Sequence, residues 1–102
     1  MHAVVESKRS EIAELCARLG VRRLDLFGSA TGEAFDEARS DVDFVVEFVG
    51  GRGFDPFDAY FSLKEGLEAI LSRPVDLVTR SSIKNPYFRD RVERTQELLY
   101  AS

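Results

Sequence analysis

Asp41-Val42-Asp43-Phe44-Val45-Val46-Glu47-Phe48-Val49 is the stretch on which the fold turns. Its β-branched and aromatic content predicts a strand over residues 42–49. Side chains alternate across a strand, so Val42, Phe44 and Val46 share one face, suited to packing under helices. Asp41 and Asp43 then project together from the other face. Two carboxylates held that closely raise one another's pKa unless a cation sits between them. A hard divalent ion with oxygen ligands, Mg²⁺ above all, is the usual remedy. Glu47 lies on the same face but further along, and reads as solvated rather than as a ligand. Asp25, in the preceding strand, reads with the same caution.

Working outward, Ile12, Leu15, Cys16 and Leu19 repeat at i, i+3, i+4 and i+7, which predicts a helix over residues 3–19 closed by Gly20. Cys16 falls inside that stripe and reads as a buried small hydrophobe in preference to a reactive thiol. Residues 21–27 predict a strand with Leu24 and Leu26 on one face, broken by Gly28-Ser29-Ala30-Thr31-Gly32. That turn is expected to open a short helix whose backbone N–H groups, with the Ser29 hydroxyl, make a phosphate cradle. A Gly-Ser pair alone is weak, since turns are full of them. Asp55, Pro56 and Asp58 predict a helix start, with Phe57, Tyr60, Phe61, Leu67, Ile70 and Leu71 on the buried face. Residues 74–79 predict a third, short strand. A last helix is expected from Asn85-Pro86 to about Glu97, then an edge strand at Leu98-Leu99-Tyr100. This order predicts an α/β domain with a small mixed β-sheet flanked by helices.

Asp76 is a lone acid among Val75, Leu77 and Val78. If its strand lies beside the second, it completes a three-carboxylate cluster able to bind two metals for in-line displacement at phosphorus. A calcium loop fails on spacing: counting from Asp41, Val45 and Val46 fall where a ligand and the turn glycine belong. His2, the only histidine, sits at the terminus and argues against His-based chemistry.

Composition narrows the field. With 102 residues, 44% apolar and 31% charged, the chain has the make-up of one folded domain. A net charge of −4 argues against broad DNA or RNA binding, which rests on phosphate neutralisation. A single cysteine forms neither an internal disulfide nor a Cys-rich zinc site, which points to a reducing cytoplasm. No apolar run approaches the ~20 residues of a membrane helix, and no signal-peptide pattern opens the chain. Residues 33–58 hold eight acids and two bases, residues 80–94 five bases and two acids. The second segment could meet an acidic partner or steer a triphosphate, or simply form a solvated helix face. Phe54, Phe57, Tyr87 and Phe88 read as core more simply than as a binding surface.

Leu26-Phe27-Gly28-Ser29, eleven intervening residues and Asp41-Val42-Asp43-Phe44, followed by Arg73-Pro74-Val75-Asp76-Leu77-Val78-Thr79, resemble the signature of the DNA polymerase β-type nucleotidyltransferases. More closely, the chain resembles the minimal nucleotidyltransferases, over almost its whole length, as one domain spanning residues 1–102. The resemblance implies that Gly28 and Ser29 hold the triphosphate. It implies that Asp41 and Asp43 coordinate two Mg²⁺ ions. It implies that Asp76 completes a metal site and helps activate the attacking hydroxyl. Many members carry an arginine shortly after the serine, where this chain has Thr31 and Gly32. Arg39 is a candidate substitute, and reads equally as a surface charge. Such proteins are commonly encoded beside a HEPN-domain toxin, on which some place AMP from ATP at a tyrosine. The resemblance thus implies a cytoplasmic, ATP-using protein adenylyltransferase antitoxin of a toxin–antitoxin system. The rival implication is an antitoxin that silences its partner by contact alone.

Overall fold

In the computed structural model, residues 3–28 and 41–102 are described. Helices α1 (Ala3–Glu6) and α2 (Arg9–Arg18) come first, then strands β1 (Val21–Phe27) and β2 (Val42–Phe48). Helix α3 (Pro56–Leu71), strand β3 (Val75–Thr79), a 3₁₀ turn (Arg80–Ser82), helix α4 (Pro86–Thr95) and strand β4 (Glu97–Ala101) follow. The sheet runs β3-β2-β1-β4. β1 pairs antiparallel with β2 and β4, whereas β2 and β3 are parallel, joined through α3. The mixed sheet and the edge position of β4 are as the sequence predicts.

The expected helix over 3–19 is two. Ser7 donates its hydroxyl to the Val4 carbonyl at 2.9 Å, the local competition by which serine interrupts a helix. Gly20 follows α2 at φ +73°, the left-handed geometry expected of a closing glycine. The Asp55 carboxylate accepts from the N–H groups of Phe57 (3.0 Å) and Asp58 (3.2 Å), and Pro56 opens α3. At α4, Asn85 accepts from Tyr87 (2.8 Å) and Phe88 (3.3 Å), and the helix ends at Thr95, two residues before the expected stop.

The main core lies on one face of the sheet. Val42, Phe44 and Val46 meet Leu24, Leu26, Val75, Leu77 and Leu99 under α1, α2 and α3. Burying each such side chain contributes about 1.5–3 kcal/mol. Helix α3 buries Ala59, Leu63, Leu67 and Leu71. Its Gly66 backs onto Leu15 so closely that a Cβ there would stand 2.6 Å from Leu15 Cδ2. Phe57 and Phe61 are on the opposite side, 74% and 45% exposed, with their rings 5.2 Å apart. The expectation that both are core is corrected: the buried stripe repeats every four residues from Ala59, and the two phenylalanines fall out of that phase.

The second face carries a smaller cluster of Phe27, Val45, Ile83 and Val92, with Val78 and Phe88 against it, covered by α4. Tyr87, one residue before Phe88, is 86% exposed instead of core. Asp25 also lies on this face, opposite Val45, and is fully buried, not solvated. Arg23 grips it in a two-point contact of 2.6 and 2.9 Å. No described helix is long and apolar enough to cross a membrane.

Candidate active site

The second face is where the motif residues meet. In the parallel ladder Asp43 stands opposite Asp76, and in the antiparallel ladder opposite Phe27. Across the sheet the order is therefore Asp76, Asp43, Phe27, with Gly28 just beyond. The register is enforced from the other face. A one-residue slip of β3 would turn Val75 and Leu77 out of the core and Asp76 into it.

The two carboxyls are close enough for the charge of Asp76 to disfavour the ionised form of Asp43. Asp43 is pushed up from 3.8 to about 6, first by burial, then by the charge of Asp76 beside it. The nearby Arg91 guanidinium pulls it down, and Asp41 adds a small upward push. Two acids this close, with only oxygen donors between them, fit a hard divalent cation, which would supply the missing counter-charge.

Asp41 joins them only in part. Pairing of β2 with β3 begins at Val42, so the ladder does not fix Asp41, which is exposed. Among the described residues, no group of three His, Cys, Asp or Glu side chains is gathered tightly enough to hold a metal ion. The expected three-carboxylate cluster is thus an assembled pair, Asp43 with Asp76, and an outlying third acid.

Gly28 is a glycine of necessity. Its φ is +76°, and a Cβ there would lie 2.6 Å from Asp43 Oδ2. Its N–H donates to the Thr95 hydroxyl at 3.0 Å, so that donor is used in pinning the turn to α4. Ser29 and Arg39 lie outside the described residues, as does the expected short helix after Gly28.

Asp43 and Asp76 open into a cleft of about 300 Å³, which Phe27, Tyr60, Lys64, Phe88 and Arg91 also line. The Tyr60 hydroxyl donates to the Leu77 carbonyl at 2.6 Å, fixing α3 against β3. Lys64 pairs with Glu68 at 3.3 Å, and the same Glu68 oxygen accepts from Val75 N–H at 3.1 Å, tying α3 to the start of β3. A larger hollow of about 480 Å³ lies at the far end of β2, by Phe54 and Arg80, and holds no acid pair. Tyr60, Lys64, Arg91 and Thr95 are absent from the sequence motif. For the last two a signal existed: they share the helical phase of Phe88 and Val92, the residues that seat α4 on the sheet.

Acids on neighbouring strands, placed where the first strand turns away, mark the class of nucleotidyltransferases. Residues 9–98 match the model of the nucleotidyltransferase domain family, and the chain belongs to that family as one of its minimal members. It is similar to the protein adenylyltransferase MntA of Thermococcus cleftensis, 42% identical over 73 residues, 71% of this chain and 69% of that protein. A Methanocaldococcus jannaschii protein, provisionally named a protein adenylyltransferase, is 43% identical over 81 residues, 78% of this chain and 76% of its own. The fold matches the structure of a tri-AMPylated Shewanella oneidensis HEPN toxin in complex with its MNT antitoxin. There the TM-score is 0.65 and the identity 21%, over 95% of this chain and 72% of that one.

Proposed function

We propose that this chain is an Mg²⁺-dependent protein adenylyltransferase that acts as an antitoxin, moving AMP from ATP onto a tyrosine hydroxyl of a HEPN-domain toxin. The observation that carries the reading is the in-register pair of Asp43 and Asp76 beside the Gly28 turn, lining one cleft. In the reaction the tyrosine oxygen bonds to the α-phosphorus and its proton passes to the Asp76 carboxylate. The bond to the bridging oxygen breaks, and pyrophosphate leaves with the electron pair. Asp41, Asp43 and Asp76 are the residues that would hold Mg²⁺, which would offset the charge that builds on the phosphoryl oxygens. Gly28 leaves room for that assembly, and Ser29 is the further phosphate contact that the resemblance assigns, with Arg39 a candidate beside it.

The test is to incubate the chain with ATP, Mg²⁺ and the toxin encoded beside it, then weigh the toxin. The expected result is added AMP with the wild-type chain and none with Asp43→Asn. AMP transfer undiminished in that variant would sink the mechanism. A double variant, Asp41→Asn with Asp43→Asn, that still silences the toxin fully would favour contact alone as the mode of action.

A further inference from the structure

We infer that Arg91, on α4, binds the β- and γ-phosphates and so holds the leaving pyrophosphate, in place of an arginine in the turn after Gly28. The inference rests on the proposed nucleotidyl transfer and adds a residue to it.

Four observations carry it. Phe88 packs edge-on against Phe27, with ring centroids 5.7 Å apart at 75°, and Val92 is buried one residue beyond Arg91. These contacts fix the rotation of α4, so Arg91 is turned into the cleft. Thr95 then bolts the helix to the turn: it accepts from Gly28 N–H at 3.0 Å and donates to the Arg91 carbonyl at 2.8 Å. The guanidinium comes to rest beside Gly28, one terminal nitrogen 3.6 Å from where a Cβ would stand.

Its neighbours on α4 are committed elsewhere. Arg94 pairs with Asp90 at 2.9 Å, and Arg89 donates to the Ile83 carbonyl at 3.1 Å. Arg91 makes no side-chain hydrogen bond or ion pair of this kind among the described residues. Its charge already acts on Asp43, and a guanidinium carries a planar fork of N–H donors that can meet two phosphate oxygens at once.

The sheet order says which phosphates. An in-line displacement puts the attacking and leaving oxygens on opposite sides of phosphorus. Asp76 lies on one side of Asp43, and Gly28 with Arg91 on the other. A hydroxyl activated at Asp76 therefore sends pyrophosphate toward Arg91. Nothing in that arrangement brings the guanidinium to the adenosine.

The test is calorimetric binding with Mg²⁺ of α,β-methylene-ATP, which resists transfer, and of AMP, to the wild type, Arg91→Ala and Arg91→Lys. Arg91→Ala is expected to weaken the triphosphate analogue about 10- to 100-fold, with AMP within about twofold of wild type. Arg91→Lys should fall between, since it keeps charge and loses the fork. The melting temperature should stay within a few degrees. If Arg91→Ala does not fold, Arg91→Gln bears the same comparison. Unchanged analogue binding in the variants overturns the inference alone, and so does an equal loss of AMP and analogue. A wild-type chain that binds neither nucleotide would overturn the proposed transfer as well.

Discussion

Replacing Asp43 by Asn should stabilise the protein while destroying its activity. Asp43 titrates at about 6 in the folded chain, against 3.8 for the free group, chiefly because burial and Asp76 disfavour its ionised form. Such a rise means that protonation favours folding. The stability linked to this group is full below about pH 3.8 and is lost as pH climbs through about 6. At full weight the displacement from 3.8 to about 6 corresponds to about 3 kcal/mol. Asp43 is only partly buried at the cleft, so screening by water reduces this to about 1–2 kcal/mol. An asparagine carries no charge at any pH, so neither burial nor the neighbouring Asp76 acts against it. Asp43→Asn should therefore match the wild type near pH 4 and exceed it at pH 8, by roughly 4–8 °C in melting temperature per kcal/mol. Paired thermal melts in a metal-free buffer measure the difference. Excess Mg²⁺ should raise the wild-type melt at pH 8 and leave the variant where it was. A variant no more stable than wild type at pH 8, or equally stabilised at both pH values, refutes the reasoning.

Gly28→Ala meets both a positive φ and the Asp43 carboxylate, so it should cost about 1–2 kcal/mol in the left-handed backbone alone. It should also displace Asp43 enough to abolish AMP transfer; full activity in a properly folded Gly28→Ala chain would count against the site. Leu67→Ala, at a side chain wholly excluded from water, should lower unfolding free energy by about 2–5 kcal/mol in urea titrations. Gly66→Ala should lose stability without touching the cleft, because Leu15 must give way, and a neutral or stabilising result would mean that α2 moves aside. Burial pushes the Cys16 thiol up to about 12, so iodoacetamide at pH 8 should label it only in the unfolded chain.

Local chemistry carried most of the fold into legibility. Asp55-Pro56 and Asn85-Pro86 combine a capping side chain with a proline suited to the first helical turn, and Val42, Phe44 and Val46 share the face that packs into the core. The Asp43–Asp76 meeting was conditional on two strands lying side by side, and a sequence does not state which strands are neighbours. Phe57 and Phe61 misled because aromatic character was weighed above helical phase. Asp25 misled because its pairing with Arg23 lies two residues along the same strand, a contact that burial alone makes worthwhile. Asp41 reads as the equal of Asp43 in sequence, yet only one of them is inside the ladder. Arg91 was hidden in a run of cations whose members differ only in where α4 points them.

The thinness of the layer over the second face has its own consequence. Helix α4 is ten residues long and fully buries only Val92, whereas the opposite face carries the bulk of the core. Opening of α4 should cost far less than global unfolding, so its amides should exchange with solvent ahead of those in β1 and β2. The carboxylate pair would survive such an opening, since the strands hold it, but Arg91 and the Thr95 anchor would leave together. A partner that grips α4 when it docks would thus raise the time the site spends complete, and could govern catalysis without contributing an atom to it.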